Sequence, residues 1–327
     1  MLRLVSDRKR ILGLNQRFRE RLAEVAESRR RIRVGWHAGN EIENAYYSSK
    51  LGLWWVFDML DKRTWNLFGI GEPIPLPNSN SIVCEINFAF RDINKTVAAS
   101  FAEDEMGRVA IVHRGKIGGG KEGIGKEMFW GRYQGATVEV TDGQTTETVA
   151  LVGSLEGKRL SRQISYFVQL IDEIKGTISS SSTEPRTLQQ NFSPEFHGQR
   201  EYETSHENII AEADHGLVVN TLARLLADSG KKIGNSKQVD LFTMNDRKEV
   251  LTIVEAKTSG DSTSVYTAIG QLFYNASGLD QRPKLVAVLP DDTKGRVLRR
   301  LEQLGISVLK YTWKDDEVIF SDFSEVR

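Results

Sequence analysis

Cysteine is almost absent: Cys84 stands alone in 327 residues. One thiol closes no internal disulfide and builds no thiolate metal site, which excludes the disulfide-stapled secreted domains and suits the cytoplasm. Net charge is absent too. Lys and Arg number 44, and so do Asp and Glu; no whole-chain field announces a polyanionic partner, so any such surface must be local. No run approaches the roughly 20 apolar residues of a membrane-spanning helix. The start, MLRLVSDRKRILGL, scatters charges where a secretory signal would carry an apolar block. The expectation is a cytoplasmic protein with no membrane partner.

What is present divides along the chain, and its length predicts two cores. Ile11, Leu14, Phe18, Leu22 and Val25 recur at spacings of three and four, which predicts an amphipathic helix. Its outer face is cationic: residues 1–33 hold eleven Arg and Lys against four Asp and Glu, a local balance of +7. The aromatic stretch from Trp36 to Gly71 reads as partly helical. After the proline-punctuated EPIPLPNSNS the pattern turns to short β-like runs as far as TVALVG, and LSRQISYFVQLIDEIKG closes this part as a helix with Gly176 as its stop. The polar, aperiodic TISSSSTEPRTLQQNFSPEFHGQREYETS then reads as a linker. Beyond it helix and strand alternate, as in an α/β domain whose helices pack on a small mixed sheet. The fold class expected is thus α+β or α/β in four parts: a helical N-terminal segment (1–75), a β-rich domain for DNA recognition (76–176), a linker (177–205) and a C-terminal α/β domain (206–327).

Within the last part, LTIVEAKTS carries the chemistry. An acid, any residue and then Lys is a cheap pattern, occurring six times here, but only Glu255 and Lys257 end a strand whose inner residues, Leu251, Ile253 and Val254, belong in a core. Two apart on a strand, they share a face. Asp240 sits on the preceding strand across a hairpin, within cross-strand reach. Carboxylates so close repel unless a proton or a divalent cation intervenes. Asp240, Glu255 and the carbonyl of Ala256 form the kind of oxygen set that magnesium takes, with water and phosphate completing its shell. Lys257 beside them suits an attacking water and the charge that builds on phosphate.

The run VDLFTMNDRKEVLTIVEAKTSGDSTSVYTAIGQLFYNA resembles the core of the PD-(D/E)XK nuclease superfamily, the fold of type II restriction endonucleases. The matching positions are Asp240, Glu255, Lys257 and, on the following helix, Gln271; the resemblance spans roughly 206–325. Val239 replaces the family's proline. The first helix of many relatives adds another acid, for which Glu207, Glu212 and Asp214 compete; Glu212 is preferred, and His215 shares its face. The resemblance implies a restriction-endonuclease-like central mixed sheet and a DNA endonuclease dependent on Mg²⁺, with Mn²⁺ as a substitute. It also implies a homodimer in a restriction or antiviral defence setting. The alternatives are an effector nuclease activated by a ligand or partner, and an inactive DNA-binding module.

In the first part, Gly120, Gly125 and Lys126 mimic a phosphate loop. Glu127 stands where Ser or Thr should be, and no βαβ context precedes it, so a nucleotide site is not expected. The glycine-rich stretch His113–Arg132 instead suggests a basic loop near a DNA backbone, through Arg114, Lys116, Lys121 and Lys126, with Trp130 placed to stack on a base.

Overall fold

The computed structural model describes residues 2–36, 39–90, 93–118, 124–133, 135–179, 206–236 and 238–321, without the side chains of 177–179, 206–209 and 212. The chain divides into two compact units, with the boundary inside a long helix between Ala213 and Asp214.

The first unit contains β1 (Leu2–Leu4), α1 (Arg8–Ala23), β2 (Ser28–Trp36), β3 (Gly39–Ser48), β4 (Leu53–Met59), β5 (Thr64–Ile70), β6 (Ser79–Ser81) and β7 (Cys84–Glu85). There follow β8 (Ala99–Glu103), β9 (Val109–His113), α2 (Lys126–Arg132), β10 (Thr137–Thr141), β11 (Thr146–Ser154) and α3 (Leu160–Ser179). One sheet runs β6-β2-β3-β4-β5-β7, and β1-β10-β11-β9-β8 close into a barrel. α1 starts at Arg8, three residues before the expected Ile11–Val25 stripe, because the Asp7 carboxylate accepts from the Arg10 N–H at 2.7 Å. It buries Ile11, Leu14, Phe18 and Leu22, and Phe18 meets Phe57, Phe68 and Phe88 edge-on.

The helical reading of residues 1–75 is corrected: α1 is the one described helix there, and β2 to β5 fill most of the remainder. The cause is burial on both faces. Tyr46 pairs with Trp55 across β3 and β4, and Tyr47 with Trp54. Tyr46 and Trp55 stack in one core cluster, while Tyr47 and Trp54 belong to another. A strand apolar on both sides loses the alternation that marks it. α3 also runs through its expected stop, Gly176, to Ser179; residues 180–205, most of the expected linker, lie outside the described residues.

His113, at the end of β9, is buried; its Nδ1 accepts from the Gly115 N–H at 3.0 Å, and the Glu85 backbone partly favours the charged ring. Gly115 has φ +77°, and a Cβ there would lie 2.3 Å from the Phe129 ring, so this turn demands glycine. Burial pushes the imidazole down to about 3, with Arg114 and Lys175 adding to the effect. Because the folded value lies below the unfolded one, this group's contribution is lost as pH falls below about 6.5. Between pH 8 and pH 5 the loss is about 2 kcal/mol. His113→Asn, which keeps an acceptor for Gly115, should melt with a visibly shallower acid dependence than wild type; parallel curves would remove His113 as the cause.

The second unit takes most of α4 (His206–Asp228), then β12 (Lys232–Ser236), β13 (Val239–Met244), β14 (Val250–Ala256), α5 (Ser262–Ser277), β15 (Lys284–Pro290), α6 (Gly295–Gln303), β16 (Ile306–Lys314) and β17 (Glu317–Phe320). The sheet order is β12 through β17 in sequence. β14, β15 and β16 are parallel, and the outer pairs antiparallel. This is the mixed sheet expected. Val218, Leu222 and Leu226 of α4 pack with Leu241, Val254 and Val286. Val265 and Leu272 of α5 and Leu301 of α6 pack with Ile253, Leu285 and Ala287 in a separate cluster. The two edge strands, β12 and β17, carry no clear sequence signal, being only five and four residues long.

Candidate active site

The site forms where β13 and β14 part company. Their ladder pairs Phe242 with Ile253 and Leu241 with Val254, so the next position outward sets Asp240 against Glu255. Beyond Val254 the ladder is replaced by a side chain: Asp240 Oδ2 accepts from the Ala256 N–H at 2.7 Å. That bond fixes the carboxylate at the fork. β14 continues parallel to β15, and the Lys257 N–H donates to the Val288 carbonyl at 2.9 Å, which holds the Glu255–Lys257 segment on rigid backbone.

Glu255 and Lys257 follow Ile253 on the face covered by α5. Lys257 Nζ donates to Glu255 Oε1 and, at 3.0 Å, to Gln271 Oε1 of α5. The hydroxyl of Tyr311, 54 residues downstream on β16, donates to the Lys257 carbonyl at 3.2 Å. From α4, His215 Nε2 lies 3.5 Å from Asp240 Oδ2. Four expected residues, Asp240, Glu255, Lys257 and Gln271, are therefore brought together.

Electrostatically the centre is Glu255. Its side chain is 1% exposed, and Oε2 has no hydrogen-bond partner. Burial pushes its carboxyl up to about 8, and the Asp240 charge pushes the same way, against Lys257 and His215. An acceptor oxygen buried without a donor is costly and rare. Such a carboxyl keeps its proton at neutral pH unless a cation takes the proton's place. Among the described residues no three of His, Cys, Asp and Glu gather into a ready-made metal cage. The donor set here is smaller, and magnesium commonly uses only one or two protein carboxylates.

No family model, curated protein or solved structure matches this chain. The case for the site therefore rests on its own geometry.

The other expected residues fall elsewhere. The Glu212 side chain lies outside the described residues, as does Lys121. Arg114 is not on a free basic loop: it is buried, its Nε donates to Glu147 Oε1 at 2.9 Å, and its Nη1 donates to Ser100 Oγ at 2.8 Å. Trp130 is half-buried against Phe129 and Tyr133, so its ring serves the core of the first unit. Lys116 and Lys126 are exposed and line a cleft of about 1850 Å³ in the first unit, along with Trp36, Lys62 and Lys175. Tyr311 had no sequence signal, because only the parallel crossover brings β16 beside the site.

Proposed function

We propose that the second unit is a nuclease that hydrolyses phosphodiester bonds in DNA with a divalent cation, magnesium by preference and manganese as a substitute. The observation that carries this reading is the unpartnered, buried Glu255 oxygen beside Asp240, with Lys257 bonded to the same carboxylate. Asp240 and Glu255 would hold the cation, with the Ala256 carbonyl as a further oxygen. The cation supplies a Lewis acid and lowers the pKa of a bound water. The chain supplies the rest. Asp240, tied to the Ala256 amide, keeps the anionic oxygens in register with β14. Lys257, steadied by Gln271, offers its ammonium protons to the phosphate oxygens as charge develops. Packing against α5 excludes bulk water from Glu255, which strengthens each of these interactions.

The test is cleavage of plasmid, linear duplex and single-stranded DNA by the full chain, with and without Mg²⁺. Asp240→Asn should lower the rate by about 100-fold or more while leaving the fold intact. Unchanged cutting by that variant would remove the site. The cleft in the first unit favours a second reading, in which a bound ligand switches the nuclease on; cutting would then begin only when that ligand is added. A homodimer would let one site per chain cut both strands of a duplex.

A further inference from the structure

Near the site, the outer face of α6 breaks a local rule. Arg296, Arg299 and Arg300 are exposed and lie three and four apart, so they form one stripe, while Val297, Leu298 and Leu301 face the core. Lys294 stands at the N-cap and makes no capping bond, and no acid occupies the first turn. Cations at the positive end of a helix dipole oppose the fold's own preference. Among the described residues, the ion pairs of this unit join Lys232 to Asp246, Lys257 to Glu255 and His215 to Asp240; none engages the four cations at α6. Asp291 and Asp292 lie before the helix and Glu302 follows Arg299 by three residues, so the stripe is basic from Lys294 to Arg300 and is bounded by acids at both ends.

The stripe is continuous with the candidate site. Gly260, three residues past Lys257, lies so close to Thr293 that a Cβ there would meet its Oγ1 at 2.4 Å. The segment leaving Lys257 therefore touches the segment entering α6, at the C-terminal ends of the parallel strands β14 and β15. The adjoining helix α5 carries no charged residue along its length, and it exposes Tyr266 (65%) and Tyr274 (73%). The exposed Asp261 that caps α5, and Asp291 and Asp292 before Thr293, flank this junction, so a polyanion would be drawn along the α6 side, where four cations have no ion pair among the described residues.

We propose that the Lys294–Arg300 face of α6 is a phosphate track that holds the polynucleotide backbone beside the Lys257 site. This rests on the nuclease reading, and it places part of the substrate contact in the second unit itself. The cations face solvent, so their removal should leave the fold unchanged.

The experiment measures binding of a 20-nucleotide duplex and of its single strand by the full chain without metal, across a range of salt concentrations. Wild type is compared with Arg296→Gln/Arg299→Gln/Arg300→Gln. Each lost phosphate contact lowers the slope of log K against log salt by about 0.9, so a fall of about 3 is expected for the duplex, with binding on the order of 30-fold weaker at 100 mM salt. Circular dichroism should be unchanged. A triple variant with the wild-type slope would overturn the track even if the enzyme cuts. Wild type that binds through these residues yet never cuts would overturn the nuclease reading and leave the track standing. Wild type that binds neither probe would overturn the track, while the nuclease reading stands or falls by cleavage with Mg²⁺.

Discussion

Lys257→Ala should cut DNA roughly 100- to 1000-fold more slowly than wild type under single-turnover conditions, with oligonucleotide affinity in the absence of metal nearly unchanged. The loss is expected in the chemical step because Lys257 Nζ is held inside the site, donating to Glu255 and Gln271, and is poorly placed to provide general attraction for a polyanion. Lys257→Arg should recover little, since a guanidinium is larger, is not readily deprotonated and cannot keep the same two bonds. Gln271 acts through Lys257, so it is a positioning residue. Gln271→Ala should cost only about tenfold, in kcat and with KM little changed, a split that a merely structural amide would not cause. Full cutting by Lys257→Ala would remove Lys257 from the chemistry and place the active site elsewhere.

How far this site could be read from the sequence depends on which interactions are local. Glu255 and Lys257 were legible because a strand forces residues two apart onto one face, and the apolar run before them marked that strand as buried. Asp240 followed from the hairpin joining β13 to β14, and Gln271 from the family resemblance, which placed it on the next helix. Tyr311 was not legible. It reaches Lys257 through two parallel crossovers, β14 to β15 and β15 to β16, and no spacing rule links residues across that path. His215 was only half legible: helical periodicity gave its face, but the depth of α4 over the sheet decides whether it meets Asp240. In the first unit the errors have one origin. Burial on both faces removed the period-two signal from Ala45 to Phe57, burial took Arg114 from the surface, and packing on Phe129 and Tyr133 half-buries Trp130. Charge and aromaticity state what a side chain can do, and packing states whether it is free to do it.

Glu255→Gln should make the metal-free second unit more stable at pH 8 and nearly indifferent to pH between 8 and 5. The carboxyl of Glu255 ordinarily titrates near 4.5 and is pushed up to about 8 by burial and by Asp240. An acid whose folded value is raised contributes its full stability below the unfolded value and loses it as pH rises through the folded one. Between pH 5 and pH 8 the wild-type loss from this group is about 3 kcal/mol. His113 in the first unit runs the other way, losing stability as pH falls below about 6.5. Two melting transitions with opposite acid responses are therefore expected, and each variant should flatten only its own. Magnesium adds the deciding arm. A cation seated at the unpartnered Glu255 oxygen offsets the charge that alkali imposes, so at pH 8 it should raise the wild-type transition, by about 2.7 kcal/mol at one hundred times its dissociation constant. The same addition should leave Glu255→Gln almost unmoved. If both proteins respond to magnesium equally, the ion binds elsewhere, and the crowding of Asp240 and Glu255 is settled by a proton instead of a metal.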